Sequence, residues 1–388
     1  MSSGHSLVHF VSTFCLDSAG LGCLYLLVAS VTVLYSSRKA VHRSPRTPVP
    51  VSILKPLHGE EPGLTRRLIS ACRQNYPADV QLVCGVEENA DPAVGAVKSV
   101  KAELPDEDIA LVCDSRQHGI NRKISNLTNM LPLARHEVLV ISDSDIDVPP
   151  NYLNDIVAEL ERPGVGAVTC LYHGLAGPGR WSKCAALGIN LYFLPNVLVA
   201  LTFGLARPCF GSTVALRRSM LTQIGGLQTI ANCLADDFAL GAAVREQGYA
   251  VAVSRVSVGH FCFARSLRTL LANEIRAART IRTIDPIGYA GTFFCHPFPL
   301  ALIASMLDGN YALSAAALAL CCRMVLCFAV ESAFSLQRQQ YWLIPLRDVL
   351  SFFVFFVGFV GNTVAWRGSS YRINSDGSLV SEQESARP

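Results

Sequence analysis

The sequence has no strong excess of charge of either sign. Its 388 residues include 33 Lys and Arg against 30 Asp and Glu, which gives a formal net charge of +3. Nucleic-acid binders carry concentrated basic patches, so this balance argues against a nucleic-acid partner. The 14 cysteines form no Cys-x-x-Cys pair and show no Cys/His spacing suited to zinc. They are typical of reduced, buried thiols in a protein that faces the cytosol.

The chain also has no internal repeat, low-complexity tract or signal-peptide cleavage site. Instead, 51% of its residues are hydrophobic, and the apolar blocks concentrate near both ends. Twenty uncharged residues lie between Asp17 and Arg38, which is about the length needed to span a bilayer. Arg38 is followed by the cations Lys39, Arg43 and Arg46. The positive-inside rule therefore predicts that the following domain is cytosolic.

Three further apolar segments lie toward the C-terminus, at 286–307, 309–330 and 349–366. If all three crossed the membrane, the basic tail would end outside, against the positive-inside rule. The proline-interrupted segment 286–307 is therefore predicted to lie in the interface or to re-enter the membrane. Segment 187–206 is also apolar, but Pro195 argues against a straight crossing helix. A buried core helix and a segment in the membrane surface both fit it.

The middle of the chain has the pattern of an α/β domain. Apolar strands are predicted at 51–54, 80–86, 109–113, 137–142 and 165–170, and amphipathic helices alternate with them. Such alternation implies a mainly parallel sheet. The predicted organisation is an N-terminal anchor with a basic flank (1–46), a cytosolic domain (47–285), C-terminal membrane segments (286–366) and a polar tail (367–388), disordered from Asn374.

The most informative stretch is an apolar strand that runs directly into Asp143-Ser144-Asp145. Ligands of open α/β sheets bind outside the carboxyl ends of the strands. Two carboxylates at i and i+2 can hold a hard divalent cation such as Mg²⁺ or Mn²⁺, and such a cation can bridge a diphosphate. A polar turn that caps the strand explains the same residues without a ligand.

Other polar residues could complete a site for a nucleotide and its substrate. Asp236 and Asp237 begin an amphipathic run, where the helix dipole alone would also favour them. Lys123 and Asn126 follow a glycine turn and could reach a phosphate, although an ordinary helix start explains them almost as well. Asp91 could bind a base or ribose, or could simply cap a helix.

A pair of arginines, Arg276 and Arg279, would share one helical face. Each guanidinium offers a planar fork of donors, so together they could grip a diphosphate. A solvated cationic face near a membrane is the competing interpretation.

The order of these motifs resembles that of the ceramide glucosyltransferase-like family. The matching stretches are Val51-Ser-Ile-Leu-Lys-Pro-Leu-His-Gly59, Asp91-Pro92, Gly119-Ile-Asn-Arg-Lys-Ile-Ser-Asn-Leu127, Asp143-Ser-Asp145, Ala235-Asp-Asp-Phe238 and Arg276-x-x-Arg279. The resemblance spans residues 50–290 and extends to the flanking apolar segments. It implies a membrane-bound, inverting glycosyltransferase with a GT-A fold that uses a UDP-sugar donor, a divalent metal and a lipid acceptor.

The same resemblance implies roles for individual residues. Asp91 would contact the nucleotide, Asp143 and Asp145 would hold the metal and diphosphate, and Asp237 would be the catalytic base. Asp236, next to Asp237, is itself predicted to bind substrate. Arg276 and Arg279 match the charged positions of the family's Arg/Gln-x-x-Arg-Trp motif.

Within the family, residues 276–300 are most similar to the bacterial hopanoid-biosynthesis glycosyltransferases. This implies N-acetylglucosamine transfer from UDP to a hopanoid polyol at the bacterial inner membrane, with 187–206 as the acceptor platform. Thr280 stands where the family motif has Trp, which puts a glucosylceramide product in doubt. Two alternatives remain open: a ceramide glucosyltransferase that uses UDP-glucose, and a non-catalytic membrane module that binds a nucleotide sugar or lipid. A polysaccharide synthase normally needs a Gln-x-x-Arg-Trp motif and a longer bundle to form a channel, and neither is evident in the sequence.

Overall fold

The computed structural model describes residues 2–38, 44–307, 312–361, 363–366, 369–373 and 379–381. The helices are α1 (Ser2–Arg38), α2 (Leu64–Cys72), α3 (Ala93–Glu103), α4 (Arg122–Met130), α5 (Tyr152–Leu160), α6 (Arg180–Gly188), α7 (Leu194–Thr202), α8 (Arg218–Gln223), α9 (Asp236–Glu246), α10 (Leu267–Ile284), α11 (Pro286–Gly291), α12 (Pro297–Leu307), α13 (Ala312–Phe334) and α14 (Ile344–Gly358). The strands are β1 (Val51–Pro56), β2 (Val80–Val86), β3 (Asp108–Cys113), β4 (Val138–Ser142), β5 (Ile146–Asp147), β6 (Val165–Ala176), β7 (Thr213–Arg217), β8 (Ala250–Cys262), β9 (Thr363–Trp366), β10 (Ser369–Ile373) and β11 (Leu379–Ser381).

The chain divides into two compact units. The sheet unit comprises Ala40–Leu175 and Arg207–Phe261, and the helical unit comprises Met1–Lys39, Ala176–Ala206 and Cys262–Pro388. Residues 176–206 and 262–285, which lie inside the predicted domain 47–285, thus cluster with the apolar helices. Lys39 and Arg43 of the predicted basic flank lie outside the described residues.

The sheet unit is built on eight strands in the order β3-β2-β1-β4-β7-β6-β8-β5. Strands β3, β2, β1 and β4 are parallel neighbours, as the alternation of strands and helices predicts. Strand β7 pairs antiparallel with both β4 and β6, and β5 pairs antiparallel with β8. The prediction of an α/β fold is confirmed, and the sheet is mixed because β7 runs antiparallel to both of its neighbours and β5 runs antiparallel to β8.

Both faces of the parallel half are buried, because alternate residues of each strand point to opposite sides. Along β1, Val51 and Ile53 enter one apolar core, whereas Leu54 enters the other. Along β4, Val140 packs in the first core and Ile141 in the second. This two-sided burial holds the carboxyl ends of β1, β2 and β4 at one rigid edge.

The helical unit contains the membrane candidates. Among the described residues, four helical stretches are long and apolar enough to cross a bilayer: Ser6–Ser36, Arg180–Thr202, Leu313–Phe334 and Tyr341–Gly358. The predicted interfacial or re-entrant segment 286–307 is a pair of helical pieces bent by 61° at a break beside Pro297. Part of the predicted disordered tail is strand, since β11 pairs with β10.

The stretch Arg180–Thr202 continues through Pro195 instead of breaking there. A π-turn at Ile189–Phe193 precedes the proline, and Pro195 has no N–H for the carbonyl four residues earlier, that of Leu191. Arg323 of α13 donates to this carbonyl at 3.1 Å. Its other terminal nitrogen donates to the Cys295 carbonyl at 2.6 Å. Arg323 thus satisfies freed backbone acceptors within the apolar bundle.

Charged residues also lie within the last apolar helix, which begins earlier than the predicted segment 349–366. Arg347 makes a bidentate pair with Glu274 at 2.5 and 2.7 Å. The fully buried Asp348 pairs with Arg323 at 3.2 Å. Because unpaired charges are costly in an apolar setting, the sequence pattern predicted that the apolar segment begins after Arg347 and Asp348. Pairing removes that cost, and the helix extends through both residues.

Candidate functional site

The Asp143-Ser144-Asp145 stretch forms a turn directly after β4, at the carboxyl edge of the parallel strands. The Ile146 N–H closes the turn on the Asp143 carbonyl at 3.3 Å. The side chains of Asp143 and Asp145 are about one-third exposed, at 33% and 36%. The carboxylates therefore stand at the sheet edge where ligands of this fold class bind.

Lys123 joins this turn to the start of α9. Its ammonium lies 2.7 Å from an Asp143 carboxylate oxygen and 3.1 Å from one of Asp236. Lys123 lies in the first turn of α4, whose N-cap is Asn121. The Asn121 side chain accepts hydrogen bonds from the backbone N–H groups of Lys123 and Ile124 and so fixes the position of the lysine. The Asn121 amide also donates to the Cys233 carbonyl at 2.9 Å. Two predicted acids from distant parts of the sequence thus meet on one cation.

Asp237 lies beside this cluster and is held by backbone donors. One carboxylate oxygen accepts the Gly211 N–H at 2.6 Å, and the other accepts the Phe238 N–H at 2.8 Å. Gly211 sits at the centre of the cluster. A Cβ atom at this position would lie 3.3 Å from Asp237, 3.4 Å from Asp143 and 3.4 Å from the Lys123 ammonium. The glycine therefore leaves the space between the acids open.

Burial and crowding shift the acidities of these groups. Burial, reinforced by the neighbouring Asp236, raises the pKa of Asp237 to about 6, while Lys123 acts in the opposite direction. Burial also raises the pKa of Asp143, against the effect of Lys123. For Lys123, burial favours the neutral amine, but Asp143 and Asp236 outweigh it and raise the pKa. The cluster thus combines a permanent cation with a carboxylate that titrates near neutrality.

Asp145 provides a second acidic contact point on the turn. One oxygen lies 3.2 Å from His260 Nε2, and the other is buried with no hydrogen-bond partner among the described residues. No preformed group of three His, Cys, Asp or Glu side chains able to hold a metal occurs in the described ranges. An acidic pair with an unsatisfied oxygen fits a Mg²⁺-type ion, which commonly uses one or two carboxylates and completes its shell with water and substrate phosphates.

Asp91 and Asn126 make backbone contacts. Both Asp91 oxygens accept the Gly59 N–H at 3.0 Å, and one accepts the Ala93 N–H at 2.9 Å. Asp91 thus fastens the loop after β1 to the start of α3. Asn126 is only 3% exposed and donates to the Gly85 carbonyl at 2.8 Å, so it supports β2 from within the core instead of facing solvent.

Arg276 and Arg279 lie on α10 in the helical unit, as the helical spacing predicts. Arg279 donates to the carbonyls of Thr363 and of Val360, the latter at 2.8 Å. One turn later, Arg282 donates to the Phe359 carbonyl at 2.7 Å and to the Gly361 carbonyl at 3.0 Å. Arg279 and Arg282 therefore hold the backbone that follows α14. The predicted diphosphate contact of Arg279 would compete with these hydrogen bonds.

Sequence reasoning missed Gly211 and His260 as members of the site. Gly211 follows a phenylalanine two residues before β7, and His260 lies near the end of β8. Neither strand was predicted, so no sequence pattern placed these residues at the sheet edge. The alternating valines of Ala250–Cys262 were the available signal for β8.

Comparisons with known proteins identify the family of the chain and its fold. Residues 21–379 match the family described as Glycosyl transferase family 21. The chain is 21% identical to Ceramide glucosyltransferase 1 of Caenorhabditis elegans, an alignment that covers 94% of this chain and 82% of the relative. It is 22% identical to Ceramide glucosyltransferase 3 of the same organism, over 97% of this chain and 82% of the relative.

A solved structure shares the fold. The mannosyltransferase PcManGT from Pyrobaculum calidifontis, in complex with GDP-Man and Mn²⁺, superposes with a TM-score of 0.52 at 20% identity. The match covers 91% of this chain and 98% of that chain. The mixed α/β sheet is therefore that of a GT-A glycosyltransferase, and the chain belongs to glycosyl transferase family 21.

Proposed function

We propose that this enzyme transfers a sugar, with inversion, from a UDP-sugar to a hydroxyl group of a membrane lipid. The observation that carries the proposal is the cluster of Asp143, Asp236 and Asp237 around Lys123 at the carboxyl edge of the sheet. The apolar helices of the same chain are suited to hold it where a lipid acceptor is dissolved. The first basic flank supports a cytosolic sheet unit, on the side where UDP-sugars are available.

In this mechanism Asp237 takes the proton from the acceptor hydroxyl as its oxygen attacks the anomeric carbon. The backbone N–H groups of Gly211 and Phe238 fix the carboxylate, so it needs no reorientation. A base with a pKa of about 6 is deprotonated at neutral pH and still accepts a proton well. Asp236 holds Lys123, and Lys123 keeps positive charge beside Asp143.

Asp143 and Asp145 are the proposed ligands of a divalent cation. When bound, Mg²⁺ or Mn²⁺ would offset the negative charge that develops on the departing UDP. Arg276 and Arg279 are proposed to add positive charge at the diphosphate. Asp91 and Lys123 are proposed donor contacts, and the buried Asn126 would act through the backbone of β2.

UDP-N-acetylglucosamine and a hopanoid polyol are the first donor and acceptor proposed. Support comes from the likeness of residues 276–300 to the hopanoid-biosynthesis enzymes and from Thr280, which replaces the family tryptophan. The second candidate is glucosylceramide synthesis from UDP-glucose. It is favoured by the two Caenorhabditis elegans relatives, which are named ceramide glucosyltransferases and align with nearly the whole chain.

The deciding experiment supplies membranes that contain this protein with UDP-N-acetylglucosamine or UDP-glucose, together with a hopanoid polyol or ceramide. Mass spectrometry of the extracted lipids then identifies the product. A mass increase of one N-acetylhexosamine on the hopanoid supports the first candidate, and a hexose on ceramide supports the second. If neither lipid gains a sugar while membranes with an active control transferase form product, both candidates are wrong.

The pH dependence of transfer tests the assigned base. Because Asp237 must be deprotonated to accept a proton, kcat/KM is expected to fall as the pH drops below about 6. The decline should approach about tenfold per pH unit, and the rate should be level from pH 7 to 8. Initial rates at subsaturating donor between pH 4.5 and 8 measure this profile. A level profile down to pH 5 would assign the proton transfer to another group.

Lysine substitutions test the proposed contact of Arg276 and Arg279 with the diphosphate, because lysine keeps the positive charge but lacks the bidentate fork of the guanidinium. Arg276→Lys and Arg279→Lys are expected to lower kcat at saturating lipid by about tenfold or more, since a forked contact to the diphosphate is lost. Arg282→Lys is the matched control, because Arg282 also binds carbonyls beyond α14. Near-native rates for both Arg276→Lys and Arg279→Lys would favour a lipid-headgroup role, which depends mainly on charge.

A further inference from the structure

Every backbone carbonyl from Asp143 to Ile146, the turn that carries the two acids, accepts a hydrogen bond from another part of the sheet unit. The carbonyl oxygens of Asp143 and Ile146 accept from the Lys55 ammonium at 2.9 and 3.1 Å. The Ser144 carbonyl accepts from Arg67 Nε at 2.8 Å, and the Asp145 carbonyl accepts from the Phe261 N–H at 2.8 Å. Donors from β1, α2 and β8 thus bind four consecutive carbonyls of the turn.

Two of these donors are buried cations. Lys55, in β1, is 0% exposed, and Arg67, in α2, is 3% exposed. The third acceptor of the Lys55 ammonium is the Ser142 hydroxyl at 3.2 Å, so its three N–H groups have three partners. Buried lysines are rare because an ammonium loses its hydration on burial, and those that occur are normally paired with acceptors. All three acceptors of this lysine therefore lie between Ser142 and Ile146, in the acidic turn and at the strand end before it.

Arg67 connects the same turn to the loop before α2. Its guanidinium donates to Glu61 at 3.0 Å and to the Pro62 carbonyl at 2.8 Å. The other Glu61 oxygen accepts the Ser144 hydroxyl at 2.6 Å. Arg67 also stacks over the Phe261 ring, 4.8 Å from its centroid. The middle residue of the turn is thus held through both its backbone and its side chain.

We propose that Lys55 and Arg67 are positioning residues that shape the Asp143–Asp145 turn for the metal and diphosphate. The two cations bind the carbonyls and leave the carboxylates, which are about one-third exposed, to make the remaining contacts of the turn. The positive charge of Lys55 also attracts Asp143 and Asp145, which reduces the repulsion between these two acids before a metal arrives. The proposal rests on the metal role assigned to these acids under the proposed function.

The test measures ligand binding by the detergent-solubilised full chain, with Mn²⁺ as the probe. Electron paramagnetic resonance reports free Mn²⁺ with and without UDP. Lys55→Met removes the ammonium at similar length, and Arg67→Lys keeps the charge but loses the fork. Both are expected to weaken Mn²⁺–UDP binding by about tenfold or more, in the range known for groups that orient metal ligands. The KM for the UDP-sugar should rise in parallel.

Two exposed residues provide matched controls. Lys98→Met replaces an exposed lysine on α3, and Arg66→Lys changes the arginine next to Arg67, whose side chain is 79% exposed. Both are expected to bind Mn²⁺–UDP as the unaltered protein does. Folding is judged by a cooperative melting transition. If Lys55→Met does not fold, Mn²⁺–UDP binding by Arg67→Lys is the test of the proposal.

The proposal is overturned if folded Lys55→Met or folded Arg67→Lys binds Mn²⁺–UDP with unaltered affinity. Failure of the proposed function gives a different result. In that case the unaltered protein would bind UDP equally well with and without Mn²⁺, or would not bind UDP at all.

Discussion

Asp237→Asn is expected to lower the rate of sugar transfer by about a thousandfold while the affinity for the UDP-sugar stays within about twofold. General-base assistance contributes about two to four orders of magnitude, and an amide cannot accept the acceptor proton. The asparagine carbonyl oxygen can still accept the Gly211 N–H, which keeps one of the two backbone contacts, whereas the amide group cannot accept the Phe238 N–H. Loss confined to kcat is the signature of an interaction made only in the chemical step.

Single-turnover rates at saturating donor and lipid, with donor binding measured separately, check this expectation. Asp108→Asn is the control, since Asp108 lies at the start of β3 and pairs with Arg135 on the surface. An equal loss of donor affinity in Asp237→Asn would contradict the role of a base and would place Asp237 among the donor-binding groups.

Asp143→Ala and Asp145→Ala are expected to abolish metal-dependent binding of the UDP-sugar and to lower kcat/KM by at least about a hundredfold. Each substitution removes a proposed metal ligand, and metal stabilisation of a phosphoryl leaving group is worth several kcal/mol. Because the loss begins in the ground-state complex, it should affect donor affinity as well as rate. This pattern separates the two acids of the turn from Asp237.

Calorimetric titration of UDP in the presence of Mn²⁺ or Mg²⁺ measures the effect. Asp147→Ala is a matched control from the adjoining strand β5, because Asp147 follows Asp145 by two residues and binds the exposed Arg66 at 2.9 Å. The metal assignment would be wrong if Asp143→Ala and Asp145→Ala both kept metal-dependent binding of UDP. Asp143→Ala also removes one of the two carboxylates that pair with the Lys123 ammonium, so the double variant Asp143→Ala/Lys123→Met distinguishes loss of the metal ligand from a weakened ion pair.

Patterns within short windows predicted much of the sheet unit. The strands of the parallel half are continuous apolar runs because both faces are buried, and they are bounded by clear helix starts. The acids after β4 were identifiable because a hydrophobic strand ends directly in them. The strand Thr213–Arg217 was not predicted, since its five residues pass straight into α8 and offer too short an alternation.

Roles that depend on distant partners could not be predicted from such windows. Lys55 and Arg347 stand in apolar or amphipathic stretches, and their burial is tolerable only because acceptors from other elements surround them. The occupation of Arg279 by the Val360 and Thr363 carbonyls depends on residues more than 80 positions away. Hydrogen bonds between residues so far apart produce no periodic pattern in a short stretch of sequence.

The sequence alone established the α/β sheet, the apolar segments and the acidic turn at the end of β4, because each follows from the chemistry of neighbouring residues. The gathering of Asp143, Asp236 and Asp237 around Lys123 and Gly211 required the tertiary structure, since these residues come from four separate parts of the chain. The underlying physical reason is that secondary structure reflects local burial and backbone geometry. A catalytic constellation instead reflects which strand ends and helix starts the sheet topology brings to one edge.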